Sequence, residues 1–176
     1  MEDKEKLIKF FKTECEANDK NIEKYGNGII PVCFIIYKNW KVGIIVLSFN
    51  DYEQKQLMKR FLMKFIASQK ILGYAIMFDT IMTILDNKSM TGVTKDAIMR
   101  TLYSSKGILK REMVIHQDKK IIEKIDFNTE EVKECKDEWN LWGEHFDLND
   151  KEEERINRLY QDFKAKNPEL YKDLGD

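Results

Sequence analysis

The sequence is poor in the residues that most often build catalytic and metal sites. It contains only two histidines, His116 and His145, and three cysteines, none of them in a CxxC pair. No HxH, HExxH or zinc-type Cys/His spacing occurs, and P-loop, GxGxxG, GxSxG and EF-hand patterns are absent as well. We therefore expect no metal ion and no cofactor, and we favour a non-catalytic protein without excluding an enzyme. His116 lies next to a predicted turn and is expected at the surface.

The three cysteines are odd in number and far apart, which argues against a disulfide framework. We expect Cys15, Cys33 and Cys135 to be free thiols, with Cys33 in the core. Cys135, Glu138 and His145 could bind a metal or form a thiol nucleophile with its base. Acidic residues on both sides of Cys135 disfavour the thiolate that this chemistry requires, so a structural thiol is the simpler interpretation.

Long apolar segments are also absent. The N-terminus alternates charged with apolar residues, and no segment reaches about 18 uncharged apolar residues. We expect a soluble, cytoplasmic protein with no membrane contact. Apolar residues still make up 43% of the chain, which is enough to build a folded core.

Charge is distributed unevenly along the chain, although the net charge is only −1. Residues 26–125 carry 16 basic against 8 acidic residues, whereas residues 126–154 carry 3 against 12. A basic surface attracts nucleic acid through phosphate contacts, and an acidic segment of the same chain could occupy that surface. Two solvated surfaces of different sign are the simpler interpretation.

Hydrophobic periodicity predicts the first elements. Residues 3–24 have apolar residues at helical spacing and predict an amphipathic helix. Residues 29–37 and 40–49 are apolar, β-branched runs that predict a hairpin, with Asn39 in the left-handed conformation of its turn.

Residues 50–70 predict the second helix, with Asn50 as its N-cap. Apolar residues recur on one stripe of this helix, and its basic residues lie away from that stripe. We expect four basic side chains to face water: Lys55, Lys59, Arg60 and Lys64.

The remaining strands complete the fold prediction. Residues 73–85 are almost all apolar and predict a central strand covered on both faces. Residues 96–104 and 108–116 predict a second hairpin, and residues 121–127 predict one more strand. The sequence therefore predicts an α+β fold, with a mostly antiparallel sheet of five to six strands and helices packed on it, in the order α-β-β-α-β-β-β(-β)-α.

The C-terminal part of the chain has a different composition. Acidic residues there surround aromatic ones such as Trp139 and Trp142, and residues 150–166 predict an amphipathic helix. We divide the chain into an α+β sheet domain over residues 1–128 and an acidic, aromatic-containing helical extension over residues 129–176. We expect the extension to pack on the sheet domain or on a second copy of the chain.

Asp79 interrupts the apolar run at residues 73–85 and is the best candidate for a functional carboxylate. An unpaired buried carboxylate is so costly that it must find a partner, a proton or water. If the strand ends near Phe78, Asp79 lies at its carboxyl end and can bond to nearby backbone amides. Arg100 or Lys110 on a neighbouring strand could also pair with it. A structural role is the simpler interpretation, and an enzyme of unknown type with Asp79 in its site is an alternative.

Nucleic-acid binding is the other alternative function. Basic residues of the middle region would supply phosphate contacts, and Tyr103 could stack on a base. The predicted contacts are Lys55, Lys59, Arg60, Lys64, Lys106, Lys110 and Arg111.

The stretch from residues 32–49, through the lysine-rich helix and residues 73–84, to residues 96–121 resembles a group of small uncharacterised prokaryotic proteins. In that group a strand ending in an acid, followed by a small residue and an aromatic, precedes a hairpin that begins with an acid. Asp79 and Asp96 match the two acids, whereas Ile81 stands where the group has the aromatic residue. The resemblance implies a compact soluble domain and no particular activity.

The predicted element order is also similar to that of roadblock/longin-type modules, which act as dimerising scaffolds. With no coherent set of catalytic residues, we expect a non-catalytic protein-interaction or assembly module. The first choice of contact is a homodimer through a sheet edge or the C-terminal segment, and another protein is the alternative partner.

Overall fold

The computed structural model describes residues 2–26, 29–85, 92–127, 139, 141 and 150–168. Within these residues the helices are α1 (Glu2–Tyr25), α2 (Tyr52–Ser68) and α3 (Asp150–Lys166). The strands are β1 (Val32–Tyr37), β2 (Val42–Val46), β3 (Ile71–Leu85), β4 (Gly92–Ser104), β5 (Gly107–Gln117) and β6 (Lys120–Phe127). The predicted α+β class and element order are confirmed.

All six strands form one open antiparallel sheet in the order β2-β1-β3-β4-β5-β6. The first hairpin joins the rest of the sheet through β1, which pairs with β3. Consequently β2 lies at one edge and β6 at the other. The prediction that β3 is central is confirmed, because Tyr74, Ala75, Ile76 and Met77 are buried on alternating faces.

The helices cover the two faces of the sheet. On one face Leu7, Phe11 and Cys15 of α1 pack against β1, β3 and β4, and we call this the α1 face. On the other face Phe61 and Phe65 of α2 pack against the same strands, and α3 packs beside α2. No helix among the described residues is long and apolar enough to span a membrane.

Two local predictions were wrong by one residue. In the β1–β2 turn the left-handed residue is Trp40, with φ 64°, whereas the Asn39 side chain accepts a hydrogen bond from the Lys41 backbone N–H at 3.1 Å. The N-cap of α2 is Asp51, which accepts a hydrogen bond from the Gln54 backbone N–H at 2.8 Å. Aspartate and asparagine both cap helices well, so two adjacent candidates could not be separated from the sequence.

A buried arginine connects α1 to the sheet through ion pairs. Arg100 on β4 is fully buried and forms ion pairs with Asp19 of α1 at 2.7 Å and with Glu112 of β5 at 2.8 Å. Asn18 accepts a further hydrogen bond from it, and Lys124 of β6 pairs with Asp19. A buried cation requires such partners, so the polar side of α1 has one fixed position on the sheet.

The described part of the C-terminal segment packs against the face that carries α2. Trp139 and Leu141 are buried, and the Tyr74 hydroxyl donates to the Trp139 carbonyl at 3.0 Å and accepts from the Leu141 N–H at 2.7 Å. Ile156 and Tyr160 of α3 are buried as well. The proposed domain boundary at residue 128 lies outside the described residues, as do Trp142 and the group Cys135, Glu138 and His145.

Candidate functional site

Asp79 lies within β3, six residues before the strand ends, so the condition that would place it at the carboxyl end of a strand is not met. One oxygen of its carboxylate accepts a hydrogen bond from the Ile29 backbone N–H at 2.9 Å. Arg100 and Lys110, the two predicted cationic partners, pair with other acids, Lys110 with Asp126. The partner of Asp79 is therefore a backbone amide, but one fifty residues away in sequence.

A cleft of about 540 Å³ opens beside Asp79. Its described lining residues are Gly26, Asp79, Thr80, Ile81, Asp96, Ala97 and His116. The strand register explains this grouping. Ile81 of β3 pairs with Asp96 of β4. Ala97 of β4 pairs with Ile115 of β5, so the next residue of β5, His116, lies beside Asp96. Helix α1 ends at Tyr25, and the cleft lies just beyond that end, on the α1 face.

The electrostatics of the cleft centre on three titratable side chains. Asp79 is exposed along the cleft, yet the protein around its carboxyl group raises its pKa above the ordinary value, chiefly through loss of hydration. The hydrogen bond from Ile29 and the nearby His116 act in the opposite direction, whereas Asp96 raises the pKa further. His116 is 6% exposed, so the prediction of a surface histidine was wrong.

Metal ligation finds no support in the described part of the chain. No group of three or more histidine, cysteine, aspartate or glutamate side chains among residues 2–26, 29–85, 92–127, 139, 141 and 150–168 could hold a metal ion. Cys15 and Cys33 are buried, and burial raises the pKa of the Cys15 thiol to about 12. A thiol with so high a pKa is a poor nucleophile at neutral pH.

The predicted nucleic-acid contacts do not lie on one surface. Lys59 is only 5% exposed, which contradicts the expectation that it faces water. The Lys55 ammonium lies 5.8 Å from the centroid of the Trp139 ring, and Lys64 donates a hydrogen bond to Asn157 of α3. Described parts of the C-terminal segment therefore contact two of the basic residues of α2, and the helical period of α2 does not predict these contacts.

The other basic positions are divided between the two faces of the sheet. Lys110 pairs in register with Leu102, which belongs to the core of the α1 face. Arg111, the next residue along β5, points to the opposite face and donates to the Thr101 hydroxyl at 3.0 Å. Lys106 is exposed in the β4–β5 turn. Tyr103 is buried and stacks on Tyr74 with ring centroids 4.6 Å apart, so it does not offer a stacking surface.

The edge strand β2 is the clearest unpartnered surface among the described residues. Val42, Ile44 and Val46 are 40%, 58% and 55% exposed, and the strand carries no charged residue. Natural sheets usually protect an edge with charges, prolines or a covering element. The opposite edge follows that rule, because four of the eight residues of β6 are charged: Lys120, Glu123, Lys124 and Asp126.

A groove of about 560 Å³ adjoins the β2 edge on the sheet face that carries α2 and α3. Leu57 and Met58 of α2 line one side, and Leu159 and Phe163 of α3 line the other. The charged residues at its described rim are Asp162 and Lys166, one helical turn apart on α3. Ile44, Ile45 and Val46 of β2 also line the groove, together with the polar residues Ser48, Gln54 and Asn167.

No protein-family model matches the chain, and neither a curated protein nor a solved structure is significantly similar to it.

Sequence reasoning predicted an interface at a sheet edge without naming the strand, and it missed the cleft. The signal for the edge was present, because the segment "VGIIV" is apolar and contains no charged residue. The cleft had no such signal, since Asp79, Asp96 and His116 are separated by 17 and 20 positions in sequence.

Proposed function

We propose that this protein is a non-catalytic protein-interaction and assembly module that forms a homodimer through the β2 edge. The observation that carries the proposal is the uncharged, exposed β2 strand, in contrast to the charged β6 strand. The similarity in element order to roadblock/longin-type dimerising scaffolds points in the same direction.

The backbone of β2 supports strand addition. The Tyr37 N–H donates to the Lys41 carbonyl at 3.0 Å and the Leu47 N–H donates to the Pro31 carbonyl at 2.7 Å, so Lys41 and Leu47 direct their backbone groups toward β1. Along an antiparallel strand, the backbone N–H and C=O groups of successive residues point alternately toward one neighbouring strand and away from it. The N–H and C=O groups of Val42, Ile44 and Val46 therefore point away from the sheet, toward an incoming strand.

The side chains of the same three residues favour a second copy as the incoming strand. Val42, Ile44 and Val46 are symmetric about Ile44, and all three lie on the α1 face because their β1 partners do. A two-fold axis at Ile44 places it opposite Ile44 of the partner subunit and Val42 opposite Val46 of the partner subunit. Apolar, β-branched cross-strand pairs stabilise such a ladder by roughly 0.2–1 kcal/mol each.

Charge is compatible with this arrangement. Strand β2 carries no charge, so self-pairing creates no like-charge repulsion along the ladder. At the groove, the two charged residues of the described rim, Asp162 and Lys166, are of opposite sign, so the rim carries no excess of one charge.

Light scattering at several protein concentrations tests the proposal. We expect the mean mass of the wild type to rise toward twice the monomer mass. Ile44→Lys should remain monomeric, because it adds a charge at the centre of the ladder. Ile122→Lys adds the same charge to an exposed side chain of β6 and should dimerise like the wild type. A wild type that is monomeric at high concentration, or equal losses in the two variants, contradicts the proposal.

The two alternative functions have less support. Nucleic-acid binding needs a common basic surface, and the predicted contacts are divided between two faces or are covered by Trp139 and α3. An enzyme centred on Asp79 would use the cleft that also contains Asp96 and His116.

A further inference from the structure

We propose that the cleft beyond the end of α1 binds a small aliphatic diamine, with its ammonium groups held by Asp79 and Asp96 and one N–H directed to His116. This site is independent of the proposed dimer, because the cleft lies at the β3–β5 strands and the dimer contact at the β2 edge.

The charge of the cleft favours a cation. Two carboxylates line it, and its described lining contains no lysine or arginine. Helix α1 ends beside it, and the C-terminal end of a helix carries partial negative charge that attracts cations. Lys119 has its Cγ close to Gly26 at the rim, but it forms no ion pair with Asp79 or Asp96 within the described part of the chain.

His116 provides a second, independent sign of a ligand. Its side chain is 6% exposed, and it lines the cleft. Buried polar groups are nearly always hydrogen-bonded, yet the described residues offer no hydrogen bond to its ring. An imidazole nitrogen that carries no proton accepts hydrogen bonds, so the ring of His116 offers an acceptor for a ligand N–H.

The spacing of the three groups fits an elongated ligand. Asp79, Asp96 and His116 lie on three successive strands, β3, β4 and β5. Neighbouring strands are about 4.8 Å apart, so the groups extend over roughly 10 Å. A molecule with two nitrogen groups can reach across that distance. The Ile29 N–H donates to one oxygen of Asp79, which restricts the orientation of this carboxylate at the cleft.

Histidine NMR offers a direct test with 1,4-diaminobutane as the probe. The chain has two histidines, so the resonances of His116 can be followed with His145 as an internal reference. We expect a saturable shift of the His116 resonances at neutral pH. Asp79→Asn and Asp96→Asn should each weaken binding by about tenfold or more, because each removes a charge-assisted hydrogen bond.

Asp118→Asn is the matched control. It removes one negative charge at an exposed turn residue outside the cleft lining, and its φ of 49° suits asparagine. It should bind the diamine like the wild type. Methylamine, with a single nitrogen, should bind more weakly than the diamine. Circular dichroism checks that each variant is folded. If Asp79→Asn does not fold, Asp96→Asn alone provides the test of binding.

Three results would overturn the proposal: no saturable change at His116, equal weakening by Asp118→Asn and Asp96→Asn, or a response to divalent cations but not to the diamine. Ile44→Lys, which alters only the β2 edge, should bind the diamine unchanged. That comparison separates a failure of the cleft from a failure of the dimer.

Discussion

At the scale of one residue, the environment of Asp79 has a consequence for stability that can be measured. Its carboxyl group is partly removed from water and Asp96 lines the same cleft, and the hydrogen bond from Ile29 compensates only in part for the resulting rise in its pKa. Groups placed for binding often reduce stability, because the fold holds them where their charge is poorly solvated.

Asp79→Asn should therefore increase the free energy of unfolding at pH 7. The folded chain holds the Asp79 pKa above its ordinary value, so between the two pKa values the folded state binds more protons than the unfolded state. The contribution of Asp79 to the free energy of unfolding therefore falls as pH rises from its ordinary pKa to its pKa in the folded chain, and it stays lower above that pH. Asparagine does not titrate, and its carbonyl oxygen can still accept from Ile29.

Urea denaturation at pH 7 and at successively lower pH measures this difference. The advantage of the asparagine variant should shrink as pH falls below the ordinary pKa of aspartate, because the wild-type carboxyl is then protonated in both states. Asp118→Asn controls for the change in net charge. A variant that is less stable than the wild type at pH 7 would contradict the assigned direction of the pKa shift.

At the scale of elements, α3 is the part of the C-terminal segment whose attachment can be measured. The Phe163 ring lies 5.2 Å from the Phe61 ring and 5.7 Å from the Phe65 ring, both in edge-to-face geometry. Tyr160 adds a hydrogen bond between its hydroxyl and that of Ser68 at 2.9 Å. These contacts join α3 to α2 through aromatic packing on one side of the helix.

Phe163→Ala should reduce the free energy of unfolding by about 2–3 kcal/mol, somewhat less than for a fully buried phenylalanine because the side chain is half-buried. Leu159→Ala, one turn earlier on α3, is the control. Leu159 is 39% exposed at the groove, so its truncation should cost less than about 1 kcal/mol. Urea denaturation of the two variants measures both values. Equal, small losses would mean that α3 does not pack on α2 in solution.

At the scale of the whole molecule, the proposed dimer extends one six-stranded sheet into a continuous sheet of twice that number of strands. The β2 edges disappear from the surface, and the two charged β6 strands become the outer edges. Both remaining edges then carry charges that discourage further strand addition, so the assembly closes as a dimer.

Cysteine cross-linking tests the register of this dimer in a Cys135→Ser background, where the remaining Cys15 and Cys33 are buried. Ile44→Cys should form an intermolecular disulfide, since directly opposed residues in a hydrogen-bonded antiparallel pair have Cα atoms about 5.5 Å apart. Val42→Cys and Val46→Cys should each fail alone and cross-link when mixed.

Self-cross-linking of Val42→Cys would indicate a shifted register. That outcome corrects the position of the two-fold axis and leaves dimerisation through β2 intact, provided that Ile44→Lys is monomeric. Absence of every cross-link, together with a dimer by light scattering, would instead move the interface away from β2.

The sequence alone determined the elements and their order. The apolar stripe of α2, the β-branched runs of the first hairpin and the nearly continuous apolar run of β3 each report burial through local periodicity, and local periodicity is visible in a single chain. The central place of β3 followed for the same reason, because a strand covered on both faces needs apolar residues at successive positions.

Only the tertiary structure decided which residues meet. Asp79, Asp96 and His116 line one cleft because of the registers of β3, β4 and β5, and those registers depend on long-range pairing. Trp139 contacts Lys55 of α2, and α3 accepts a hydrogen bond from Lys64, although both partners lie far along the chain from α2. Periodicity reports whether a side chain faces a core, whereas the identity of its neighbours depends on contacts between segments far apart in sequence.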